Sequence, residues 1–142
     1  MDRSIIIGAV GERLVEAELL KQGFLVARPS IDIDGCDLLA GVDHNYYHRI
    51  QIKTSKLPAL IDGRPTGYRF TNFTSRAADF CIFVCLLHPA FYIMPMSKVG
   101  SGVRFSGDGS GQSKHEKYFS AWHILKENCF ENNLEKNPKN NL

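Results

Sequence analysis

Four side chains carry oxygen or amine groups at spacings that regular structure would bring together: Glu12, Asp37, Gln51 and Lys53. Glu12 lies in a stretch that reads as a helix. It shares a side with Gly8, Val15 and Leu19 by i−4, i+3 and i+7 spacing, so its carboxylate faces an otherwise apolar contact surface. Asp37 stands at the start of a strand, after Gly35 and Cys36 and before Leu38 and Leu39. Gln51 and Lys53 alternate with Ile50 and Ile52 in the next strand. They therefore share one face, about 6.6 Å apart along it. Two carboxylates about 4 Å apart repel by roughly 4 kcal/mol at an effective dielectric near 20. A divalent cation between Glu12 and Asp37 would offset that cost.

The distribution of charge points the same way. From Glu12 to Asp43 seven acids stand against three bases; from Arg49 to Arg76 six bases stand against one acid. An acidic stretch beside a basic one suits metal-assisted chemistry on a phosphodiester. Carboxylates hold a hard cation, and bases hold the substrate backbone. The plainer alternative is that these charges solvate exposed faces. The net charge of +2 excludes a histone-like, charge-driven nucleic-acid binder but not a local basic surface.

Other chemistry-bearing groups are weaker candidates. Asp32 and Asp34 alternate with Ile31 and Ile33, which suits an exposed strand edge or turn better than a metal site. His44 and His48 have the spacing of helical metal ligands but fall in a predicted turn and strand start. Residues 107–111, Gly-Asp-Gly-Ser-Gly, resemble a phosphate loop only superficially, because no Gly-Lys-Ser/Thr follows. Trp122 shares a helix side with Tyr118, Ala121 and Leu125, which favours core packing over base stacking. Cys36, Cys81, Cys85 and Cys129 contain no Cys-x-x-Cys pair and read as buried free thiols.

These groups need a scaffold, and the chain has the material for one. Its 142 residues suit a single domain, and 44% hydrophobic with 23% charged residues excludes wholesale disorder. No apolar run approaches membrane-spanning length and no signal peptide is recognisable, so the expected compartment is the cytoplasm. Residues 4–22 read as a helix capped by Ser4 and ended by Gly23; its widely spread apolar residues suit cover on more than one side. Strands are expected over 24–27, 37–42 and 47–54, then a loop over 56–67, then strands over 68–73, 80–87 and 91–95. The continuously apolar stretch from Phe80 to Leu87 suits a strand covered on both faces. Residues 100–113 read as a mobile Gly/Ser loop, 117–128 as a final helix, and 131–142 as a disordered tail after a domain of residues 1–130. An α/β sandwich around one mixed sheet fits this order better than an α+β meander.

The ordered set Gly11-Glu12-Arg13, Gly23-Phe24, Gly35-Cys36-Asp37-Leu38 and Gln51-Ile52-Lys53-Thr54 resembles the PD-(D/E)XK nuclease superfamily. It is similar to the small single-domain branch that includes archaeal Holliday-junction resolvases and intron-encoded homing nucleases. The resemblance is strongest over residues 4–56. It implies a restriction-endonuclease-like three-layer α/β core, with a mixed central β-sheet flanked by helices. It also implies a DNA endonuclease dependent on Mg²⁺, with Mn²⁺ as a substitute, acting as a homodimer or higher oligomer.

Roles follow residue by residue from the same resemblance. Asp37 binds the ion directly; Gln51 offers its side-chain oxygen and Ile52 its backbone carbonyl. Glu12 binds the ion or one of its waters. Lys53 orients or deprotonates the attacking water. The departure is Gln51, where the strict pattern has a carboxylate, so weak metal affinity is expected. A rival reading is a decayed module on the same fold that binds DNA or protein without cutting. A second rival is a plain interaction domain with a Glu12–Lys53 ion pair.

Overall fold

A computed structural model describes residues 2–127. The first element is helix α1 (Arg3–Lys21). Its cap is Asp2, not Ser4: the Asp2 carboxylate accepts the Ser4 N–H at 3.0 Å, so the helix starts one residue earlier than expected. It ends where Gly23 turns to φ +92°, a conformation that favours glycine. Only the stripe of Gly11, Val15 and Leu19 is buried. Ile5, Ile6, Val10 and Leu20 remain exposed, so within the described residues the helix is covered on one side rather than several.

Nine strands come after it among the described residues: β1 (Leu25–Ala27), β2 (Leu38–Gly41), β3 (His48–Ser55), β4 (Leu60–Ile61), β5 (Arg64–Pro65), β6 (Tyr68–Thr71), β7 (Phe80–Cys85), β8 (Ala90–Pro95) and β9 (Gly102–Phe105). Five of them form one mixed sheet in the order β1-β2-β3-β7-β8. The β3–β7 pair is parallel and the others antiparallel. Every residue of β7 is buried, as its unbroken apolar run predicts. The expected loop over 56–67 contains the small β4–β5 hairpin. Its two-residue turn places Asp62 and Gly63 at φ +51° and +74°, a combination that an Asp-Gly pair adopts readily.

The sheet has two covered faces. On one, Val15 and Leu19 of α1 pack with Ala121, Trp122 and Leu125 over Ile50, Ile52, Ile82 and Ile93. On the other, Tyr68, Phe70, Val103 and Phe105 pack over Cys81, Phe83, Tyr92 and Met94. Both helices therefore flank the sheet on the same side, and a β6–β9 ribbon forms the third layer. No helix among the described residues is long and apolar enough to cross a membrane.

Two boundaries differ from expectation. The Gly/Ser-rich stretch 100–113 contains β9, whose Val103 and Phe105 point inward. The segment after β9 is tied down rather than free. The Tyr92 hydroxyl accepts N–H groups from Gly107 and Gly109 at 3.1 and 3.2 Å and donates to Glu116 at 2.9 Å. The last helix starts later than residue 117. A 3₁₀ turn (Glu116–Tyr118) comes first, then Ser120 at φ +49° donates its N–H to the Phe91 carbonyl at 2.8 Å; helical geometry runs from residue 122 to 127. The predicted end of that helix at Asn128, Cys129 and the tail over 131–142 lie outside the described residues. Cys36, Cys81 and Cys85 are free and buried.

His48 carries a consequence for stability. Its ring is 2% exposed, between Tyr46 and Phe80, and neither nitrogen has a hydrogen-bond partner. Burial lowers its pKa below 6.5, against a smaller opposing pull from Asp79. The unfolded chain therefore binds a proton near pH 6.5 that the folded chain refuses, so stability present above that pH is lost as pH falls. Denaturant midpoints at about pH 7.5 and about pH 5.5, either side of the ordinary histidine value, should show this loss. His48→Leu should flatten it partly, leaving the smaller share of His115, whose pKa is also lowered, chiefly by burial.

Candidate active site

The site begins with a glycine. Gly11 faces Thr54 of β3 so closely that a Cβ there would overlap the threonine side chain. This close approach brings α1 onto β3 and carries the neighbouring Glu12 to the sheet. Alanine is favoured over glycine inside a helix by about 1 kcal/mol, yet Gly11→Ala should destabilise the fold by about 1–3 kcal/mol, the usual cost of overpacking. Thr54→Ala in the same chain should recover part of that loss, and urea titration of the three variants would measure the coupling.

Asp37 is placed by two hydrogen bonds to β3. Its N–H donates to the Ile50 carbonyl at 2.8 Å, and its Oδ2 accepts the Ile52 N–H at 2.7 Å. The chain reaches it through Gly35 at φ +76°, packed against Ser75. Ile52 is thereby fixed by Asp37, with its side chain in the helical core. Gln51 lies on the ribbon-side face, 5% exposed and paired in register with Cys81; its Oε1 is buried with no hydrogen-bond partner. Lys53, half-buried, follows on the same face. The Cys81 thiol locates these charges. Burial pushes it up to about 12, while Lys53 pulls it down and Asp37 pushes it further up.

Glu12 closes the group. Its carboxyl feels the Asp37 charge, and its side chain is one-third exposed. Burial raises its pKa first and the Asp37 charge second, while Arg28 opposes both. Glu12 thus stands near Asp37, and the β2–β3 register, continued one residue past Leu38↔Ile50, sets Asp37 across from Gln51, with Lys53 two residues further along the same face. The Glu12–Lys53 ion pair of the plain-domain reading is not among the ion pairs of the described residues.

In the sequence Arg28 counts only as one of the three bases between Glu12 and Asp43. It follows β1 and reaches back to α1, with Nη2 2.6 Å and Nε 3.2 Å from Glu16 Oε2 and Nη1 3.6 Å from Glu12 Oε2. Only its charge was legible; the docking of β1 beside α1 that pairs it was not.

An oxygen-coordinating divalent cation fits this group. Two adjacent carboxylates and a buried, unpartnered amide oxygen are hard donors of the kind Mg²⁺ or Mn²⁺ takes. No group of three or more His, Cys, Asp or Glu side chains converges among the described residues. A cation here would therefore draw its third protein oxygen from an amide or a backbone carbonyl.

The remaining candidates fall elsewhere. Asp32 and Asp34 are exposed, and His44 is exposed while His48 is buried, so the histidines form no pair. Trp122 packs on Phe91 at 5.6 Å. In the glycine-rich loop Asp108 Oδ1 accepts from the Ser106 hydroxyl and from the N–H and hydroxyl of Ser110. Two bases of the 49–76 stretch serve the fold. Arg49 pairs with Asp79 at 3.2 Å, and Arg76 donates to the carbonyls of Val99 and Gly100. Lys56, Arg64 and Arg69 stay exposed. A cleft of about 670 Å³ lies at the amino-terminal ends of β3 and β7 and is lined by none of Glu12, Asp37, Gln51 and Lys53.

A mixed five-stranded sheet with two flanking helices is the restriction-endonuclease-like fold. A bacterial homing endonuclease, I-Ssp6803I, has the same fold: the TM-score is 0.78 at 21% identity, over 94% of this chain and 98% of that one. At that identity the likeness defines the fold. A Holliday junction resolvase from the archaeal hyperthermophile Archaeoglobus fulgidus gives a TM-score of 0.48 at 18% identity, over 78% of this chain and 94% of that one. No family model and no curated protein matches the chain.

Proposed function

We propose that the chain is an endonuclease that hydrolyses DNA backbone phosphodiesters with Mg²⁺, or Mn²⁺ in its place. The observation that carries this reading is the buried, unpartnered Gln51 oxygen beside the Glu12–Asp37 carboxyl pair, with Lys53 two residues along the same face. The fold shared with a homing endonuclease supports it. Glu12, Asp37, Gln51 and the Ile52 carbonyl would hold the ion. When bound, such an ion supplies positive charge that acidifies a water and neutralises the phosphate. Lys53 donates to a phosphate oxygen and orients the attacking water towards phosphorus. Asp37, already committed to the Ile52 N–H through one oxygen, keeps the other for the ion. Burial and the Asp37 charge hold the Glu12 pKa above its ordinary value, and the ion needs the charged form, so cleavage should rise with pH. Cutting both strands calls for a second copy of the chain. Buried free thiols suit a reducing, cytoplasmic setting.

The test is cleavage of duplex, junction and single-stranded DNA in Mg²⁺, Mn²⁺ and chelator. Metal-dependent cuts that stop in chelator are expected. DNA binding without cleavage in any metal would favour the decayed module, in which Gln51 marks the loss of a carboxylate.

A further inference from the structure

The ribbon face turned away from the core carries cations where the fold gains nothing from them. In the β6–β9 register Arg69 stands directly opposite Arg104. Tyr68, Phe70, Val103 and Phe105 point inward and are buried, so both arginines project outward and are exposed. Side chains at such positions start about 5 Å apart, and like charges there destabilise the pair. Lys114 and His115 line the same groove, about 420 Å³, together with Thr71. No acidic residue lines it among the described residues. The nearest carboxylate in sequence, Glu116, is buried and turned inward onto Tyr92 and Ser106. His115 is held towards its neutral form, chiefly by burial and then by Lys114, which leaves Arg69, Arg104 and Lys114 as the standing charges.

Three cations held together in a groove without an acidic lining residue call for an external polyanion. The ribbon packs on the sheet face that carries Gln51 and Lys53, so its cations lie on the same side of the sheet as those two residues. We propose that the outer face of the β6–β9 ribbon is a docking surface for the phosphate backbone of duplex DNA, with Arg69, Arg104 and Lys114 each contacting a phosphate. This rests on the reading of DNA as substrate. It also moves the binding surface from the 49–76 stretch alone, where Arg49 and Arg76 serve the fold, to a pair of strands distant in sequence.

The test is binding of the full chain to a mixed-sequence DNA duplex in chelator, read by anisotropy across a salt series. Wild-type affinity should fall log-linearly with salt. R69A/R104A should bind at least about tenfold more weakly at low salt, and its slope should shrink by about 1.8, two contacts at 0.9 each. R69K/R104K should keep the wild-type slope, and Lys114→Ala alone should lose about 0.9 of it. The thermal midpoint of R69A/R104A should equal or exceed wild type, because the cross-strand repulsion is gone. If wild type binds and both R69A/R104A and Lys114→Ala bind with its affinity and slope, the ribbon is not the docking surface and the endonuclease reading stands. If wild type binds no duplex at all, the ribbon proposal falls, while the endonuclease reading is decided separately by cleavage of junction and single-stranded DNA.

Discussion

Asp37→Asn is expected to abolish cleavage while leaving the fold intact. The substitution preserves shape, and an amide oxygen can still accept the Ile52 N–H that Asp37 now accepts at 2.7 Å. The charge that would hold the cation disappears. The loss should exceed the roughly 10²–10³-fold that removal of one transition-state-stabilising donor costs. Two further effects separate this from unfolding. The Asp37 charge raises the Glu12 pKa, so in Asp37→Asn Glu12 should ionise at lower pH. Metal-free DNA binding should stay equal or improve, because one negative charge facing the phosphates has gone. Single-turnover cleavage, NMR titration of the Glu12 carboxyl and binding in chelator read the three effects independently.

Gln51→Glu should act in the opposite direction on metal. The position is 5% exposed, its oxygen is buried without a partner, and the β2–β3 register sets it across from Asp37, so the new carboxylate adds a second charge there. Without metal, a further negative charge in this desolvated place should destabilise the fold by about 1–3 kcal/mol unless the group takes up a proton. With Mg²⁺ or Mn²⁺ the added charge should tighten binding by about tenfold or more, since affinity at such sites follows ligand charge. The thermal midpoint should therefore respond to metal much more steeply than in wild type. Calorimetric titration with Mn²⁺ and melting curves with and without the ion give both numbers. Equal affinities in the two proteins would mean that residue 51 is no ligand.

Much of this arrangement was legible because it rests on short-range pattern. The alternation of Ile50 and Ile52 with Gln51 and Lys53 sets faces by the pleat alone, and the unbroken apolar run from Phe80 reads as a strand covered twice. The Glu12 placement follows from helical spacing, although the spacing does not reveal that Gly11 against Thr54 makes the approach close enough. Features that depend on distant partners were hidden. β9 has only Val103 and Phe105 to mark it amid glycine and serine, and its strand geometry comes from pairing with β6. The late start of the last helix depends on Ser120 bonding the Phe91 carbonyl, a contact across 29 residues by subtraction of their numbers. Arg28 and Arg104 looked like ordinary surface charge, because the carboxylates of one and the facing arginine of the other arrive only through the fold.

Glu12, Asp37 and Gln51 are proposed to share one divalent cation. Anomalous diffraction from crystals soaked in Mn²⁺ tests this most directly. A single manganese peak is predicted at the α1–β2–β3 edge, at roughly 2.1 Å from Asp37 and within reach of Gln51 Oε1 and the Ile52 carbonyl, with Glu12 bound directly or through water. In Asp37→Asn crystals the peak should vanish. A manganese peak elsewhere with this edge empty, or a peak there that survives in Asp37→Asn, would contradict the account.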